Sequence, residues 1–260
     1  MVVKFFFSYF GGKARDMKKI QPFVFLDDID TICEPFCGTC SFSTHQDEKY
    51  KLILNDLDSN LMSFLEDVKE GLFPEYVRFF NHEIHKYKIH GAPTPKWHEL
   101  KRNKEKSLRE WFLMRRASRG GEMLNLGVKK MVLEDYLDIE TIIRADRVNL
   151  ISGDYLKIFE KVKNDDKCFV FLDPPYLDSC NLAYSAHNGK STDDNMVIKD
   201  KTKMFIDIME FIKTAKCRIM LIINKNSITE FLFKDNIVGE YAKRYDVSGR
   251  RTSHLVVTNY

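Results

Sequence analysis

Asp173, Pro174, Pro175 and Tyr176 follow directly on the strongly apolar run Cys-Phe-Val-Phe-Leu at 168–172. An acid at the end of a buried strand stands where an open sheet presents catalytic groups. The two prolines have a fixed φ and no amide hydrogen, so they hold a rigid, extended turn with a carbonyl open to a donor. Tyr176 adds a flat aromatic face. One charged acceptor, one fixed carbonyl acceptor and a stacking ring suit a planar amine with two N–H donors. The exocyclic amine of a nucleobase is such a group, and its lone pair, delocalised into the ring, is a poor nucleophile. Two acceptors holding both hydrogens favour a pyramidal nitrogen with its lone pair aimed at an electrophile, which stabilises the charge developing in the transition state. With a sulfonium methyl in line, displacement needs no covalent enzyme intermediate. The base must first leave the duplex, and stacking on Tyr176 offsets part of that cost of a few kcal/mol.

A second cluster lies near the N-terminus. In "ICEPFCGTCSF" an apolar run ends in Glu34 and turns through Phe36 and Gly38 into small residues. A glycine there lets the backbone pass close to a ligand, and the following amides can face its polar groups. Further on, "ILNDLD" ends a second run at Asp56. A carboxylate at that place grasps a ribose diol, or else caps the helix that starts near Asp58. No G-x-G-x-x-G is present to embrace a pyrophosphate, so the expected cofactor is a nucleoside without a diphosphate, and S-adenosylmethionine fits that description. In "SYFGGKARDMKKI" a Gly-Gly turn precedes Lys13, an expected anchor for a carboxylate.

These groups need elements to hold them. Apolar runs at 31–36, 52–56, 149–154, 168–176 and 218–224 read as strands buried on both faces of a parallel sheet. Between them, "SNLMSFLEDVKEGL" and "DKTKMFIDIMEFIKTA" carry apolar residues at helical spacing. Such alternation predicts an open α/β sheet with ligands outside the carboxyl ends of its strands. The alternation breaks between Gly71 and Arg147, a stretch that reads as helical and basic. Lys96 to Lys130 holds 11 Lys and Arg against 4 Asp and Glu, so +7 of charge sits in one segment of a chain whose total is +3. Residues 1–70 and 148–260 are therefore expected to form one domain, with 71–147 inserted into it.

The 44% of hydrophobic residues excludes a disordered chain. No charged leader with a cleavage site and no membrane-length apolar run is evident, and a soluble, intracellular protein is expected. The six cysteines lack paired metal spacing and are expected as reduced, mostly buried thiols. His82, His85 and His90 have no acid or cysteine partner at ligand spacing, so no metal is expected. Trp97 and Trp111 are expected in core packing.

Taken in order, "YFGGK", "EPFCGTCSF", "NDLD", a basic insertion, "SGDYLKIF", "DPPY" and the terminal "HLVVTNY" resemble the Dam-like, α-class adenine-N6 DNA methyltransferases. The resemblance covers both ends of the chain. It implies a Rossmann-like S-adenosylmethionine-dependent methyltransferase sheet with a mainly helical target-recognition insertion. It implies further that Tyr9, Lys13, Glu34, Phe36, Gly38, Asp56 and Asp154 line the S-adenosylmethionine pocket, and that Asp173, Pro174 and Tyr176 hold the target adenine of double-stranded DNA. The sequence departs from the family where bases are read: after "RASRGGEMLNLG" the usual segment ending in a phenylalanine-glycine turn is absent. Base-reading residues therefore do not transfer. Arg115, Arg116 and Arg119 remain candidates for base or phosphate contacts. Tyr184, in the polar stretch after the catalytic turn, is a candidate for closure over the base, and Arg250 and Arg251, expected in a loop, for backbone contacts. The family suggests GATC as the target. An RNA adenine-N6 methyltransferase and an inactive nucleic-acid-binding relative are the competing readings.

Overall fold

The computed structural model describes residues 3–7, 12–89, 92–118, 126, 130–176, 201–244 and 251–260. Its strands are Thr31–Glu34 (β1), Lys51–Asp56 (β2), Lys88–Ile89 (β3), Ala92–Pro93 (β4), Val148–Ser152 (β5), Cys168–Leu172 (β6), Arg218–Asn224 (β7), Ile237–Arg244 (β8) and Arg251–Thr258 (β9). Its helices are Met17–Ile20 (α1), Ser59–Lys69 (α2), Phe73–Glu83 (α3), Pro95–Arg102 (α4), Leu108–Ala117 (α5), Leu137–Arg144 (α6), Tyr155–Val162 (α7), Lys201–Thr214 (α8) and Ser227–Phe233 (α9). All five expected strands form, each ending at or before the turn residues that close its run.

The seven-stranded sheet has the order β5-β2-β1-β6-β7-β9-β8. Parallel pairing joins β1 to β2 and to β6, and β6 to β7, while β9 runs antiparallel to both β7 and β8. This is an open, Rossmann-like, mostly parallel sheet with an antiparallel edge. From β1 the chain moves to β2 on one side and later returns with β6 on the other, so the strand order reverses between β1 and β6. Their carboxyl ends, Glu34 and the Asp173 turn, flank the crevice that such a reversal creates.

Strand alternation explains the burial of β6 on both faces. Phe169 and Phe171 point one way and stack on Phe42, with ring centroids 5.3 and 4.4 Å apart. Cys168, Val170 and Leu172 point the other way into a core with Ile158 and Phe159 of α7 and Met204, Phe205 and Ile208 of α8. There Phe159 and Phe211 stack at 3.9 Å.

The chain divides into two compact units. One contains Lys13–Leu57, Ile151–Ser179 and Ile198–Tyr260; the other contains Met1–Gly12 and Asp58–Leu150. Within the second unit α2 packs with α5 and α6. Its interior is aromatic: Phe64 meets Phe6 at 5.3 Å, Tyr76 at 5.1 Å and Phe112 at 4.9 Å. Trp97 and Trp111 are buried in it, as expected of core residues. Among the described residues no helix is long and apolar enough to cross a membrane.

Candidate active site

At the end of β6 the backbone leaves the sheet and Asp173 stands half-buried, with Pro174 buried behind it. Its carboxylate forms an ion pair with Lys13. Lys13 is 2% exposed and is placed by a turn in which the Asp16 amide donates to its carbonyl at 2.8 Å. Burial holds the Lys13 ammonium below the usual lysine range, against the opposing pull of Asp173. The same ammonium lies 5.2 Å from the centre of the Tyr176 ring. The Tyr176 hydroxyl is 3.4 Å from Asp173 Oδ1, a long contact, and Lys201 donates to the Tyr176 carbonyl at 3.1 Å.

The Tyr176 ring is braced from below by His254 of β9, edge-on at 5.3 Å and 80°. His254 is fully buried, and its Nδ1 lies 3.2 Å from the Tyr241 hydroxyl of β8. Burial first, and then Lys13, Lys243 and Lys19, drive its pKa down to about 2, so the ring stays neutral. Sequence reasoning missed His254 and Tyr241, because nothing local to "SHLVV" or "GEYAK" marks them. The pairing of β9 with β7 brings His254 to Tyr176, and the pairing of β8 with β9 sets Tyr241 opposite His254.

The residues expected to line a cofactor pocket lie at the ends of β1, β2 and β5 and in the loops that follow. Glu34, 3% exposed, accepts from the Ser43 amide at 2.7 Å, and burial raises its pKa to about 7. Gly38 adopts φ 45°, a left-handed conformation that favours glycine, and its amide donates to Asp56 Oδ2 at 2.9 Å. The helix cap near Asp56 is Asp58 instead, accepting from Asn60 and Leu61 at the start of α2. Asp56 is thereby left to the Gly38 loop. Phe36 packs on Tyr155 at 5.1 Å, and Asp154 caps α7 by accepting from Leu156. Carboxylates of this kind suit a ligand bearing hydroxyls and positive charge and disfavour a pyrophosphate.

Residues 9–252 match the D12 class N6 adenine-specific DNA methyltransferase family. The chain belongs to this family. It is also similar to the Type II methyltransferase M.CviBI of Paramecium bursaria Chlorella virus NC1A, 26% identical over 281 aligned positions that cover 96% of this chain and 97% of the relative. The protein is an adenine-specific DNA methyltransferase.

In this methyltransferase the arginine expectations divide. Arg115 is buried at 0% exposure, with Nη2 2.9 Å from Asp58 and its guanidinium over Trp111, so it has no surface to offer DNA. The pair joins α5 to the N-terminus of α2, and a charge desolvated that far needs such a partner. Arg116 is half-buried with its guanidinium 5.8 Å from the centre of the Phe80 ring. Arg251 begins β9, in register with Arg244, and is not in a loop. Tyr9, Arg119, Tyr184 and Arg250 lie outside the described residues, as does the side chain of Arg251. The five described cysteines are buried. His82 and His85 are exposed, and the described residues form no metal-binding cluster.

Proposed function

We propose that this D12 class methyltransferase moves a methyl group from S-adenosylmethionine to N6 of an adenine swung out of duplex DNA. The observation that carries this reading is the parallel alignment of β6, which leads into Asp173 and Pro174, beside β1 and β2, which end in Glu34 and Asp56, so that all these acids lie at the carboxyl ends of strands flanking the reversal in strand order. S-adenosylmethionine supplies an electrophilic methyl on a sulfonium. Asp173 and the Pro174 carbonyl would accept the two N6 hydrogens and turn the nitrogen lone pair outward; as the new N6–methyl bond forms, the methyl–sulfur bond would break to leave a neutral thioether, and Asp173 would receive the proton that N6 gives up. Tyr176, held by His254, stacks on the base. Asp56 takes the ribose hydroxyls, while Tyr9, Glu34, Phe36, Gly38 and Asp154 line the rest of the pocket.

We assign target recognition to the expected insertion, 71–147. Its exposed Lys96, Arg102 and Lys104 supply sequence-neutral phosphate affinity that weakens with salt. The enzyme on this reading works on intracellular DNA. Tritiated methyl transfer to duplex DNA and to RNA tests the substrate: transfer to DNA is expected, and transfer to RNA alone overturns the proposal. Asp173→Ala is expected to abolish transfer while S-adenosylmethionine still binds, and full activity in that variant would remove Asp173 from its role. Protection from nucleases that cut unmethylated GATC tests that target sequence.

A further inference from the structure

Asn55 is the next-to-last residue of β2, directly before Asp56, and is 1% exposed. Its side-chain amide donates two hydrogen bonds, to the Pro35 carbonyl at 2.8 Å and to the Gly153 carbonyl at 3.0 Å. The Asn55 backbone carbonyl accepts from the Cys37 amide at 2.8 Å, and the next backbone carbonyl, of Asp56, accepts from the Gly153 amide at 3.1 Å. The three loops that carry Phe36 and Gly38, Asp56, and Asp154 are thus tied to one another through a single carboxamide and its flanking backbone.

The chemistry of the knot is selective. Two carbonyls need two donors from one short side chain, and the asparagine amide supplies both in one plane. Aspartate offers none when ionised, and serine offers one. A buried carbonyl left without a donor is costly, so the loops would separate to find water.

We propose that Asn55 is a positioning residue for the cofactor: a clasp that holds the loops after β1, β2 and β5 at the spacing S-adenosylmethionine requires. The inference rests on S-adenosylmethionine as the methyl donor. Titration calorimetry with S-adenosylhomocysteine, alongside duplex DNA binding without cofactor, separates the possibilities. Asn55→Ala is expected to weaken S-adenosylhomocysteine about tenfold or more, as expected for one to two lost hydrogen bonds, with DNA affinity unchanged. Asn55→Ser, which keeps one donor, should fall between the two. In Asn55→Asp the carboxyl regains a donor when protonated, so its deficit relative to wild type should shrink from pH 8 to pH 5.5. The comparison with wild type at each pH cancels the titration of Glu34.

A merely structural asparagine would lower the melting temperature and leave the affinity of the folded protein, and its pH dependence, as in wild type; that result overturns the clasp. Failure of the wild-type protein itself to take up S-adenosylhomocysteine would overturn the cofactor reading, and the clasp with it.

Discussion

The ammonium of Lys13 is paired with the carboxylate of Asp173, 160 positions along the chain, and lies over the ring of Tyr176. The acid and the aromatic ring proposed to hold adenine are therefore oriented by one buried cation. Replacing it with Met keeps much of the volume and removes the charge that aims Asp173. Lys13→Met is expected to lower single-turnover methyl transfer by about 10²-fold, the scale of a misplaced catalytic group, with DNA affinity little changed. An unaltered rate would remove Lys13 from the catalytic turn.

Glu34 and His254 make opposite demands on pH. Glu34 keeps a proton in the folded state up to about pH 7 that the unfolded chain loses above its ordinary value of 4.5, so its contribution to stability falls as pH rises through that window. His254, held neutral down to about pH 2, refuses a proton that the unfolded chain accepts below 6.5, so its contribution falls as pH drops below 6.5. Between pH 5 and 6.5 the two slopes, each about 1.4 kcal/mol per pH unit, oppose one another. Relative to wild type, Glu34→Gln should gain about 2 kcal/mol of stability over that rise in pH, and His254→Gln should lose a similar amount. Urea unfolding at the two pH values reads both, and parallel behaviour of all three proteins would contradict the burial of these groups.

Arg115 is expected to act on folding and not on DNA. Removing it strands the Asp58 carboxylate, and Arg115→Met should cost about 3 kcal/mol in unfolding free energy. Adding Asp58→Asn, which keeps the cap on α2, should recover most of the loss. The salt dependence of DNA binding by the folded variant should match wild type. Lys96→Glu with Lys104→Glu, by contrast, should flatten that dependence by about one unit of slope per lost phosphate contact.

For Tyr176 the ring should matter more than the hydroxyl, whose contact with Asp173 is long at 3.4 Å. Tyr176→Ala should weaken binding of an extrahelical base by about 1–3 kcal/mol, read as lost fluorescence enhancement of 2-aminopurine at the target position. Tyr176→Phe should retain most of it. Equal loss in the two variants would shift the role from stacking to hydrogen bonding.

The sheet was legible because strands buried on both faces are continuous apolar runs, as in Phe169 to Leu172, and that pattern survives in one dimension. The turn proposed to hold the adenine stands out in the sequence for a related reason: Asp173 to Tyr176 are consecutive, and prolines declare their own geometry. Arg115 was misjudged because a guanidinium in a basic segment reads the same whether it faces DNA or Asp58. Burial depends on which helices pack together.

By itself, the order of residues determined the strands, the acids that end them and the identity of the turn that would hold an amine, since each depends on near neighbours along the chain. The tertiary structure decided the rest. It set Lys13 against Asp173, His254 beneath Tyr176 and the Asn55 amide between two distant carbonyls. Each of those relations is a hydrogen bond, ion pair or ring contact between residues that strand order and helix packing bring together, and no local periodicity encodes it.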